Sequence, residues 1–174
     1  MSSLNESLRR SLEGARRVAV LGVGSELRGD DGVGLVAIRE LERINPGLVK
    51  GCALGVYWGS TAPENLTGAI REFNPSHLVI IDAAMLSLPP GGARIIERGE
   101  IGGISFSTHR LPMNILVDYI VSSIPCALVI VGIQPSATGL CCDVDPAVAE
   151  GGRAVARAVA RALVPLADGP HDCT

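Results

Sequence analysis

The stretch Gly22-Val-Gly-Ser-Glu-Leu-Arg-Gly-Asp-Asp-Gly-Val-Gly34 constrains this chain more than any other. Val18-Ala-Val-Leu21 stands in front of it, an apolar run of the kind that forms a buried strand. Behind it, Val33, Val36, Ala37, Leu41 and Ile44 recur at helical spacing. The stretch is therefore a strand-to-helix turn that opens an α/β unit. Such turns lie at the carboxyl ends of parallel strands, where open α/β sheets keep their ligands.

Two phosphate-binding patterns nearly fit the turn, and each fails at an informative place. A dinucleotide fingerprint requires a third glycine where Leu27 stands, and an acid at the end of the second strand. The second-strand segment, Gly51-Cys-Ala-Leu-Gly-Val-Tyr57, contains no acid. Gly24 and Gly29 have the glycine spacing of a P-loop, but Asp30 and Asp31 occupy the positions of its Lys and Ser/Thr. Two carboxylates repel a phosphate, so the turn suits a cation: a metal or a positively charged substrate group. Asp30 stands where a helix N-cap is expected. Capping needs no second acid, which leaves Asp31 as the functional candidate.

Composition removes several classes. A net charge of -3 provides no basic footprint for nucleic acid, and 3% aromatic residues provide few stacking platforms for bases. The longest apolar runs, about eight residues, are too short to span a bilayer. Residues 1–17 are polar and do not read as a signal peptide. The cysteines at 52, 126, 141, 142 and 173 are odd in number and lack C-x-x-C spacing. That usage fits reduced thiols in the cytoplasm. At 174 residues and 47% hydrophobic content the chain reads as one α/β domain with strands buried on both faces.

In chain order, Ser3-x-x-Glu6 with Leu4, Leu8 and Leu12 predicts an N-terminal helix within residues 1–16. The main domain spans 17–164, followed by a loose tail over 165–174. Strands are expected near 17–23, 51–57, 77–82 and 126–133. Helices are expected near 31–44, 63–73, 112–123 and 146–164. Residues 93–97 follow a connection too short for a helical crossover and predict an antiparallel edge strand. Residues 99–107 read as an irregular loop. Asp145-Pro146 predicts an N-cap followed by proline at the first helical position, and Gly151-Gly152 inside that helix suggests close packing. Arg153, Arg157 and Arg161 predict its solvated face.

Asp82 ends the most apolar strand, His77-Leu-Val-Ile-Ile-Asp82, at the edge where ligands sit, whereas His77 opens the strand at the remote edge and reads as structural. His109 lies on the loop before the 112–123 helix. If the strands are parallel, Asp31 and Asp82 share one rim, within reach of the His109 loop. Two carboxylates and an imidazole suit a borderline divalent ion such as nickel or zinc, with coordination positions left open.

Five segments in order resemble the nickel-iron hydrogenase maturation peptidases. They are the 22–34 turn, Gly59-Ser-Thr-Ala-Pro-Glu-Asn65, Val79-Ile-Ile-Asp-Ala83, Ser107-Thr-His-Arg-Leu-Pro-Met-Asn114 and Gly132-Ile-Gln-Pro135. The second and fourth are most similar to the branch serving the formate-hydrogenlyase type of hydrogenase. The resemblance covers about residues 17–164. It implies a three-layer α/β/α fold with a mostly parallel five-stranded sheet, and it implies that Asp31, Asp82 and His109 occupy nickel-contacting positions. It further implies an endopeptidase that removes the C-terminal extension of the hydrogenase large-subunit precursor after nickel insertion. The nickel belongs to the precursor, and no tightly bound cofactor is expected. A monomer without nucleic-acid or membrane partners is expected. Ser25 stands where many members carry Asn, the N-terminal helix is extra, and Cys141-Cys142 has no assigned role. The alternative is a docking protein that binds the metallated precursor through the same three residues without cleaving it.

Overall fold

The computed structural model describes residues 2–44, 52–106, 112–136 and 143–163. Its centre is a five-stranded sheet in the order β2-β1-β3-β5-β4. The strands are β1 (Arg17–Val23), β2 (Ala53–Ser60), β3 (His77–Ala83), β4 (Ala93–Ile96) and β5 (Ala127–Ile133). β2, β1, β3 and β5 run parallel, and β4 pairs antiparallel with the edge of β5. The fold class expected from sequence, including the antiparallel edge strand, is therefore borne out. The helices are α1 (Ser2–Ser11), α2 (Val33–Ile44), α3 (Thr67–Phe73), α4 (Met113–Ser123) and α5 (Pro146–Leu163).

Strand alternation sorts the core into two layers. Val18, Val20, Val79, Ile81, Val129 and Val131 face a cluster with α1, α2 and α5. Ala19, Leu21, Leu78, Ile80 and Ile130 face a second cluster with α3 and α4. Because helices cover both faces, the central strands are apolar at nearly every position. Leu4, Leu8 and Leu12 lie buried in the first cluster, so α1 packs on α5 and beside β4.

Several local expectations change in the structure. Residues 98–103 are not irregular: they form a 3₁₀ helix, Arg98–Gly103, closed by Glu100. The Glu100 carboxylate accepts the Glu97 N–H at 2.9 Å and takes both terminal nitrogens of Arg94 at 2.9 and 3.0 Å. Arg157 is not on a plain solvated face. It reaches the buried Glu40 of α2 at 3.4 Å and also pairs with Glu150. Gly151 is explained by contact, since a Cβ there would stand 2.3 Å from the Gly91 carbonyl oxygen. The tail at 165–174 lies outside the described residues.

Candidate active site

The site is built from turns at the carboxyl rim. Between β1 and α2 the chain makes a short 3₁₀ helix, Gly29–Gly32. Gly24 begins this turn at φ +136°, and a Cβ there would stand 1.8 Å from the Asp31 carbonyl oxygen. Only glycine permits that approach with that backbone. Gly34, at the start of α2, sits over β1 and β3: a Cβ would meet the Val23 oxygen at 2.2 Å and the Ile81 oxygen at 2.5 Å. These two glycines draw the acidic turn down onto the ends of β1 and β3. The turn packs directly on β3, the strand that carries Asp82. Asp31, in the turn that follows β1, and Asp82, in the adjacent parallel strand β3, thus lie at the same rim of the sheet.

The two consecutive acids divide their work differently from expectation. Asp30 is not the helix N-cap, since it lies inside the 3₁₀ helix after a non-capping Arg28. Its buried carboxylate instead accepts the Ser136 N–H at Oδ2 and the Asp145 N–H at Oδ1, both at 2.7 Å. It fastens the segment leaving β5 and the entry to α5 onto the turn. The physical reason is long-range: these backbone donors are 106 and 115 residues away in sequence, and only the closed sheet brings them within reach. Asp145 fills the capping role expected of it, accepting the Ala147 N–H at 2.8 Å.

Asp31 is 1% exposed, and neither carboxylate oxygen has a hydrogen-bond partner among the described residues. A buried carboxylate in that state is costly unless a cation or donor arrives. Asp82 is fully buried, and its Oδ1 accepts the Ala83 N–H at 2.7 Å. His109 lies outside the described residues, as do Cys141 and Cys142. Among the described residues no group of three or more His, Cys, Asp or Glu side chains gathers to hold an ion. His77 opens β3 at the opposite rim, with Nδ1 3.0 Å from Ser76 Oγ, in keeping with its structural reading.

Sequence reasoning gave Gln134 no role. Its side chain is buried, and Oε1 accepts the N–H groups of Leu86 at 2.7 Å and Leu88 at 3.3 Å. Nε2 donates to the Pro135 carbonyl at 3.0 Å. Gln134 therefore fixes the loop that leaves β3 just past Asp82. Its placement after the last apolar strand, the same signal that marked Asp82, could have found it.

These features define an α/β/α protein with a desolvated acid on its ligand rim. Comparison with known proteins gives that class its family. Residues 54–163 match the HycI family model, hydrogenase maturation protease. A putative hydrogenase maturation protease of Methanocaldococcus jannaschii is 33% identical over 141 residues, which is 79% of this chain and 83% of the relative. The hydrogenase 3 maturation protease of Escherichia coli K12 is 36% identical over 127 residues, 69% of this chain and 74% of the relative. The crystal structure of a NiFe hydrogenase maturation protease HycI from Thermococcus kodakarensis superposes with a TM-score of 0.78 at 29% identity. That alignment covers 90% of this chain and 98% of the other. The chain belongs to the hydrogenase maturation protease family. It is a peptide-bond hydrolase, and the family resemblance in the sequence is borne out.

Proposed function

We propose that this protein removes the C-terminal extension of a NiFe hydrogenase large-subunit precursor once nickel has been inserted, and that it recognises that nickel through Asp31, Asp82 and His109. The observation that carries the site assignment is Asp31, whose two carboxylate oxygens are buried without a partner among the described residues. A cation carried in by the substrate satisfies them, and a preformed anionic site favours the metallated precursor over the empty one. Asp82 supplies a second carboxylate on the neighbouring strand. His109, which precedes α4 in the sequence, supplies an imidazole in this scheme. In hydrolysis one carboxylate accepts a proton from the attacking water, and the substrate's metal helps to polarise the scissile carbonyl.

The protein needs no resident cofactor in this scheme and works as a monomer. A cytoplasmic location suits the free thiols of Cys52 and Cys126 among the described residues. Among the described residues no helix is long and apolar enough to cross a membrane.

The test is intact mass spectrometry of a large-subunit precursor incubated with the protein, once nickel-loaded and once nickel-free. Loss of a C-terminal fragment from the loaded sample alone is expected, and Asp31→Asn and Asp82→Asn should each abolish it while remaining folded. Binding without a change in mass would mean a docking protein, and normal trimming by both variants would overturn the site assignment.

A further inference from the structure

Three side chains account for all the buried side-chain nitrogen and oxygen atoms that lack a partner, among the described residues that are not exposed. They are Asp31, Arg28 through Nε, and Glu64 through Oε2. They are not scattered: each lies on one of two rim turns. Arg28 precedes the 3₁₀ helix after β1, and Glu64 lies in the 3₁₀ helix Pro63–Leu66 after β2. β1 and β2 are paired neighbours, with Gly22 opposite Trp58 and Val23 opposite Ser60. The two turns are also joined beyond the strands. Gly24 donates to the Ser60 carbonyl at 3.0 Å. A Cβ on Gly59 would stand 2.8 Å from the Gly22 oxygen and 3.1 Å from Pro63 Cβ. Gly24 in turn lies against the Asp31 carbonyl. One continuous piece of rim therefore holds a cation-seeking carboxylate, a second carboxylate oxygen without a donor, and a guanidinium N–H without an acceptor.

Buried polar atoms in folded proteins are almost always paired. Atoms left unpaired together, on the ligand rim of an α/β sheet, call for groups that the described residues do not provide. An extended polypeptide presents a backbone N–H and a backbone C=O at short intervals, which are the two complements needed here. We propose that Glu64 and Arg28 form a subsite for the precursor's main chain beside the scissile bond. The Glu64 carboxylate accepts an N–H of the precursor, and Arg28 Nε–H donates to one of its carbonyl oxygens. The subsite orients the peptide while the Asp31 region meets the metal. The inference rests on the reading that the substrate is a hydrogenase large-subunit precursor.

The test measures the dissociation constant of nickel-loaded precursor for wild type, Glu64→Gln, Arg28→Met and Arg28→Lys, alongside trimming kinetics of wild type and Glu64→Gln and thermal unfolding of every protein. Glu64→Gln and Arg28→Met are expected to weaken binding about tenfold or more, the scale of a hydrogen bond to a charged group. Arg28→Lys keeps the charge without the Nε–H and should not restore binding. None of the three should lower the unfolding temperature, because no intramolecular bond to the unpaired atoms is lost. In trimming, Glu64→Gln should raise KM with kcat little changed, the signature of binding shared by ground and transition states. Dissociation constants within twofold of wild type for Glu64→Gln and Arg28→Met would overturn the subsite, as would lower unfolding temperatures that mark both residues as structural. Failure of wild type to trim would instead count against the endopeptidase reading, and the binding comparison would still decide the subsite.

Discussion

Asp30 and Asp31 are adjacent, equally buried and chemically identical, yet the same substitution should move stability in opposite directions. Asp30 accepts two backbone N–H groups at 2.7 Å. An Asn there keeps one acceptor and turns an NH₂ toward the other donor. Hydrogen bonds to charged groups contribute about 1.5–3 kcal/mol each, so Asp30→Asn should cost about 2–3 kcal/mol. Asp31 accepts none from the described residues, and both its oxygens are buried. Asp31→Asn removes a desolvated charge and loses no bond to the described residues. A buried unpaired polar group costs about 1–3 kcal/mol, so its partial relief should stabilise the free protein by about 1–2 kcal/mol. At this chain length each kcal/mol moves the melting temperature by roughly 2–4 °C. Calorimetry of the metal-free protein should therefore find Asp30→Asn lower by about 4–12 °C and Asp31→Asn higher by about 2–8 °C. Urea titration, with unchanged slopes, should agree. Asp31→Asn should at the same time lose trimming, the trade expected where a site holds a strained charge for its substrate. A fall of several degrees for Asp31→Asn would refute the reasoning, because it would make Asp31 a structural acid like its neighbour.

Other outcomes follow from the packing. Gly34→Ala places a methyl 2.2 Å and 2.5 Å from two backbone oxygens, so the protein should lose several kcal/mol or trimming activity even where it folds, measured by urea unfolding and the mass assay. Leu8 of α1 is fully buried, and Leu8→Ala should destabilise by about 2–5 kcal/mol in the same urea titration, because α1 shares the core of α5. Glu40 is held below the ordinary carboxylate value, first by its hydrogen bond from Arg43, with Arg157 adding to the effect against the opposing influence of burial. Its contribution is present above the unfolded value near 4.5 and is lost as pH falls through the lower folded value. Arg43→Met should therefore move the acid-unfolding midpoint to higher pH, followed by circular dichroism.

What the chain alone determined was local. Apolar runs that end at Asp82 (residues 78–81) and at Gln134 (residues 126–133) dictated buried parallel strands, because only strands covered on both faces tolerate unbroken hydrophobicity. The acids after β1 excluded phosphate, because like charges repel. Those two arguments were enough to put Asp31 and Asp82 on one rim. Tertiary structure decided which acid does what. Asp30 looked like a cap because capping is a local pattern, but its partners are the amides of Ser136 and Asp145, more than a hundred residues away. Arg28 and Glu64 carried no signal in the sequence for a related reason. An unpaired buried atom is defined by everything that fails to reach it, and that becomes known only when the whole rim has closed around it.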